Sequence, residues 1–225
     1  MSNTALSSAN AAPSQVIEEV ITREESPRRH ELDGRRGVVP KNELTTLVTA
    51  ERFAAARLRA SLNGALAQCP VTGVEIVSAV PEWLELKVPC DLGAIELLQR
   101  LITELDADLP EELGEAISYA FREMLSNAVE YGGGLDASKR VEIRFIRLKR
   151  AIICRIKDPG TGFDPTQVVH AAINNPTDDP LRHASFRQAE GLGAGGFGIL
   201  LTSQLVDELV YNEQHNELLF VKYLF

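Results

Sequence analysis

Apolar residues along this chain recur with a period of two in some stretches and of 3.6 in others, and the order of those stretches predicts its elements. Leu84, Leu86 and Val88 alternate with Glu85 and Lys87, which predicts a half-buried strand over 83–88. Asp91 can cap a following helix whose buried face is Ile95, Leu98, Leu101, Ile102 and Leu105. A second helix opens at Pro110, suited to the first helical position, with Glu111 and Glu112 in the first turn where the helix dipole favours anions. Its stripe is Leu113, Ile117, Ala120, Met124 and Ala128; Glu112, Glu115, Ser118, Arg122 and Ser126 lie opposite. Strands follow around 141–147 and 151–158, joined by a basic turn at 148–150. After an irregular piece over 166–190 come a helix over about 198–207 and strands at 210–212 and 218–224. These elements predict an α+β sandwich, one mixed β-sheet with helices on one face.

The ordered domain is expected over residues 82–225. Ahead of it, residues 1–40 are rich in Ser, Ala, Glu and Arg with few aromatics, the composition of a disordered N-terminal tail. Residues 41–81 read as a helical appendage or linker. Ala54, Leu58, Leu62, Ala65 and Leu66 make one stripe over 50–68 that needs a partner, either the main domain or a second copy of the chain in a homodimer.

Charge narrows the function. The chain has 32 acidic and 23 basic residues, a net charge of −9, which argues against direct binding to nucleic acid. Its three cysteines, Cys69, Cys90 and Cys154, lack metal-ligand spacing and read as reduced thiols. The start has no secretory pattern and no run of 18 apolar residues occurs, so the expectation is a cytoplasmic protein without a membrane segment.

The second helix holds the anomaly. Asn127 falls inside the apolar arc and Glu123 one turn back on its edge, about 40° apart in projection. A carboxylate and an amide facing inward need a polar partner above them. Asn127 offers an amide oxygen suited to Mg²⁺, and Glu123 can take a proton from an attacking hydroxyl. Asp158 ends the strand 151–158 on the face of Ile152, Cys154 and Ile156, so its carboxylate aims inward, where the exocyclic amine of adenine is a suitable donor. Gly160 and Gly162 follow and would let the backbone approach the ring. Gly193, Gly195, Gly196 and Gly198 precede a helix, an arrangement that binds phosphate. The segment 191–196 also satisfies the Rossmann glycine pattern, but no strand directly precedes it and no βαβ unit fits. In the irregular piece, Arg182 or Arg187 could reach a γ-phosphate. His30-Glu-Leu faintly resembles a phospho-acceptor histidine motif, but Gly34, Gly37 and Pro40 would break the helix it requires.

Together, Glu123-x-x-x-Asn127-Ala-x-Glu130-x-Gly132, Asp158-Pro-Gly160-Thr-Gly162 and Gly191–Gly198 resemble the N box and the two glycine boxes of the GHKL ATP-binding fold of histidine kinases and gyrase. Residues 82–225 are most similar to bacterial anti-sigma-factor serine/threonine kinases, down to the tail Leu205-Val-Asp207-Glu208-x-Val210-Tyr211. Tyr131, Phe197 and Ile199 depart from the family pattern. The resemblance implies ATP and Mg²⁺ as cofactors, Asp158 and Gly160 at the adenine, Asn127 on Mg²⁺, Glu123 as base and the 193–198 loop on the phosphates. It further implies a serine on a STAS-type anti-anti-sigma partner as acceptor and a sigma factor as captive. Two alternatives stay open: an ATP-gated binding module with negligible turnover, and the ATP-binding part of a histidine-kinase system.

Overall fold

The computed structural model describes residues 73–80, 83–192 and 195–225; the expected tail, the 50–68 helix, the His30 segment and Gly193 lie outside them. The described chain begins with an antiparallel hairpin, β1 (Glu75–Val80) and β2 (Trp83–Pro89). β2 is the alternating strand of the sequence, with Leu84, Leu86 and Val88 buried. β1 was not visible in the pattern and lies within the 41–81 stretch read as a linker. It is an edge strand with Ile76 and Val77 exposed and an irregular register between Ile76 and Ser78, so its apolar residues carry no period of two.

Helix α1 (Leu92–Leu105) is capped by Asp91, whose Oδ1 accepts from the Ala94 N–H at 2.9 Å. Helix α2 (Glu111–Asn127) has Pro110 as its N-cap residue, one position ahead of the expected place, and buries Ala116, Ile117, Ala120, Phe121, Met124 and Leu125. A π-helical turn, Ala128–Gly132, continues α2. Such turns are uncommon and cluster at functional sites. Strands β3 (Arg140–Arg147) and β4 (Ala151–Lys157) follow. The 166–190 piece is more ordered than its pattern suggests. It holds short 3-10 turns at Pro165–Gln167 and Ala172–Asn174 and a helix, α3 (Arg182–Ala189). Only His183 of α3 is buried, so the helix has no apolar stripe to betray it. Helix α4 (Gly198–Leu205) and strands β5 (Glu208–Tyr211) and β6 (Glu217–Tyr223) complete the fold.

Among the described residues six strands form one sheet in the order β1-β2-β3-β4-β6-β5. The expected α+β sandwich is the observed architecture. Its strands are antiparallel at every pairing rather than mixed. The helix pair α1–α2 between β2 and β3 turns the chain back twice, so β3 enters opposite to β2, and hairpins make the β3–β4 and β5–β6 connections. Registered rows such as Leu86–Ile143–Ile156–Leu218 and Leu84–Phe145–Cys154–Phe220 run across the sheet. They pack against Ile95, Leu98 and Leu101 of α1 and Ile117, Phe121 and Met124 of α2 in one core. A second cluster holds Ile146, Ile153, Leu219 and Val221, the residues of β3, β4 and β6 that alternate with those rows. Beside it lie the pairs Arg144–Glu85 at 3.0 Å and Arg155–Glu217 at 2.7 Å. Among the described residues no helix is long and apolar enough to cross a membrane.

Candidate functional site

The core leaves the C-terminal end of α2 facing a cavity of about 720 Å³. Its wall takes Glu123, Asn127 and Tyr131 from α2 and the π turn, Asp158, Gly160, Gly162 and Phe163 from the end of β4 and the loop beyond, and Tyr211, His215 and Asn216 from the end of β5 and the β5–β6 turn. Val168, His170, Arg187, Gly196 and Gly198 also belong to it. Eight residues singled out in the sequence therefore converge on one space: Glu123, Asn127, Asp158, Gly160, Gly162, Arg187, Gly196 and Gly198.

Close contacts order the wall from end to end. At one end Gly132 lies flat against Asp158, where any Cβ would collide with the carboxyl group. The glycine of the first motif is thus shaped by the aspartate of the second. The Asp158 carboxyl is half-buried, and that burial raises it above the ordinary carboxylate range; the Gly160 N–H, donating to Oδ1 at 2.8 Å, acts in the opposite direction. Met124, Ile156, Tyr211 and Leu218 line the same side, with the Tyr211 hydroxyl donating to Met124 Sδ at 3.7 Å. Burial pushes the Tyr211 phenol well above its usual range. At the other end Glu123 faces Gly198, and its Oε1 lies 3.2 Å from the Arg122 guanidinium.

Between these ends sits Asn127, partly buried, whose side-chain amide makes no hydrogen bond among the described residues. Its oxygen is a neutral hard donor, which fits Mg²⁺ held jointly with phosphate oxygens and water. Among the described residues no three His, Cys, Asp or Glu side chains group as a metal site.

The segment over the cavity is tied down internally. Asn175 Oδ1 accepts from the His183 N–H at 2.9 Å, and Asn175 Nδ2 lies 2.7 Å from His183 Nδ1. The buried His183 ring meets Phe197 edge-on at 4.3 Å. That anchor decides between the two arginines. Arg187 is one helical turn from His183, on the same side of α3, and lines the cavity; Arg182 is rotated away, exposed and outside the wall. Gly195 sits beside Arg187, where a Cβ would come 3.5 Å from Nη2, and is not itself part of the wall. Gly196 accepts from the Ala172 N–H at 2.7 Å.

Lys139, His170, His215 and Asn216 also line the cavity, and sequence reasoning gave them no part. Only the pairing of β6 with β4 brings the last two there. The spacing Asn212-x-x-x-Asn216 across a predicted turn was their sole signal.

A cavity with one apolar end bearing a carboxylate, a central amide and a glycine-lined end before a helix suits a purine nucleotide laid along it. No curated protein matches the chain. The family model described as the histidine kinase-like ATPase domain matches residues 88–222, a span that includes every wall residue named here. The chain belongs to the histidine kinase-like ATPase domain family.

Proposed function

We propose that this chain is an ATP-dependent protein serine/threonine kinase of the anti-sigma type, acting in the cytoplasm. In this reading it phosphorylates a serine on a STAS-type anti-anti-sigma partner and sequesters a sigma factor. The observation that carries the reading is the convergence of Glu123, Asn127, Asp158 and Arg187 on one cavity beside the start of α4.

Each group has a task in keeping with its place. Asp158 accepts a hydrogen bond from the adenine amine at the apolar end. Asn127 would hold Mg²⁺, which when bound neutralises charge on the phosphates. Arg187 faces the phosphates from α3, and the first turn of α4 offers N–H groups to the same end. Glu123 takes the proton of the acceptor serine as its oxygen bonds to the γ-phosphorus and the bond to the ADP oxygen breaks. Catalysis of this kind is positioning plus charge stabilisation.

The test is transfer of labelled γ-phosphate from Mg-ATP to purified candidate partners. Label on a STAS-domain serine supports the reading; label only on a histidine phosphotransfer or receiver domain supports the histidine-kinase alternative. A second reading, an ATP-gated binding module with negligible turnover, draws on the exposed Ile173, Leu181, Phe186 and Leu192 in the segment over the cavity. Apolar side chains there offer a protein-binding face that nucleotide could reshape. ATP-dependent partner capture without transfer is its signature.

A further inference from the structure

The β5–β6 turn is bonded within itself and to the loop after β4. Asn212 Oδ1 accepts from the N–H groups of Asn216 and Glu217, each at 3.1 Å. Asn212 Nδ2 donates to Asn216 Oδ1 at 2.8 Å. That bond settles the orientation of the Asn216 amide and turns its Nδ2 toward the loop, where it donates to Gly160 O at 3.0 Å. The Asn216 carbonyl in turn accepts from the Asp158 N–H at 2.9 Å. One residue therefore grips the loop on both sides of the Asp158 side chain.

The fit continues beyond it. Gly162 has φ +87°, and a Cβ there would collide with the Gln214 carbonyl, so the loop lies directly on the turn. Gly162 was expected to make room for a base, but the close approach it permits is to the turn. Phe163 then meets His215 and Tyr211 with ring centroids 5.5 and 6.0 Å apart. The aromatic wall thus takes one ring from the loop and two from the turn and strand that hold it.

We propose that Asn216 is a positioning residue for base recognition: it holds the Asp158–Gly160 loop so that the Asp158 carboxylate meets the exocyclic amine of adenine. The inference rests on the adenine-binding reading of the cavity. A carboxylate held at that point accepts from adenine N6 and repels guanine O6, so discrimination between the two depends on where the loop is fixed. Releasing Gly160 lets the carboxylate shift, which costs ATP affinity and blurs the choice of base.

The experiment is calorimetric titration of the full chain with Mg-ATP and with Mg-GTP, well below each variant's thermal midpoint. The wild type is expected to prefer ATP by at least tenfold. Asn216→Ala is expected to bind ATP about tenfold more weakly and to retain only about threefold preference over GTP. Asn216→Asp keeps the size and the bond from Asn212 but sets an acceptor against the Gly160 carbonyl, so it is expected to lose at least as much. It carries the test if the alanine variant does not fold. Hydrogen exchange of the wild type adds a measurement that needs no variant: ATP is expected to slow exchange of the Asp158 amide. Variants that lose thermal stability yet keep wild-type affinity and preference would overturn the proposal, as would an Asp158 amide indifferent to ATP. A wild type that binds no nucleotide would instead overturn the proposed function.

Discussion

Glu123 and Gly198 are in contact: a Cβ on Gly198 would lie 2.6 Å from Glu123 Oε2. The first turn of α4 can come this close to the carboxylate only because position 198 has no side chain. Gly198→Ala must therefore push apart the carboxylate and the helix start. Phosphoryl transfer is expected to fall at least tenfold, because misplacing a reacting group by about 1 Å is that costly. The check is the transfer rate beside the thermal midpoint. A rate unchanged in a folded variant would show that the contact is incidental to the chemistry.

The two arginines of α3 separate cleanly. Arg187 lines the cavity and Arg182 does not. Arg187→Ala is expected to weaken Mg-ATP binding or slow transfer by tenfold or more, on the scale of a charge-assisted hydrogen bond. Arg182→Ala is expected to stay within about twofold of wild type, as an exposed side chain away from the site should. Equal effects in titration and transfer assays would remove Arg187 from the phosphate end.

Asp158→Ala is expected to weaken ATP binding at least tenfold, following the roughly 1.5–3 kcal/mol of a charge-assisted hydrogen bond. Asp158 lies against Gly132, at the end of the wall opposite Gly198, so affinity for inorganic triphosphate is expected to change little. A parallel loss for both ligands would place Asp158 in a general structural role.

Asp106 gives the fold a pH dependence away from the cavity. It is 4% exposed, neither carboxyl oxygen has a hydrogen-bond partner among the described residues, and burial raises it from 3.8 to about 7, against the pull of Arg147. The Arg147 guanidinium instead bonds Asp108 and the Leu105 carbonyl. Between pH 4 and 7 the folded state binds more protons than the unfolded state, so stability falls as pH rises through that window. The ceiling is on the order of 4 kcal/mol, at about 1.4 kcal/mol per pH unit. Asp106→Asn should flatten the dependence of the urea midpoint on pH and exceed wild type at pH 8. Parallel curves for the two proteins would contradict the assignment.

Legibility in the sequence followed the physics of burial. The Asp91 cap and the alternation of β2 are local signals that fold as the pattern indicates; the α2 stripe does so at Ile117, Ala120, Met124 and Ala128, whereas Leu113 is only half-buried and Ala116, Phe121 and Leu125 widen the buried face. β1 and α3 escaped because an edge strand with an irregular register and a helix with one buried residue have no stripe to read. At the cavity, Glu123 and Asn127 were legible because i and i+4 share a helix face. The wall from Tyr211 to Asn216 was not, because only long-range strand pairing brings it to Asp158. The choice of Arg187 over Arg182 likewise needed the buried His183 to set the rotation of α3.

The most direct test of a kinase built on this cavity is Glu123→Gln, assayed with Mg²⁺, labelled ATP and a purified partner that takes label from the wild type. The substitution preserves shape and hydrogen bonding while removing proton affinity. ATP affinity is predicted to stay within a few-fold of wild type while phosphoryl transfer falls by about 10²–10⁴, the scale of general-base catalysis. Transfer at the wild-type rate in Glu123→Gln would contradict the account.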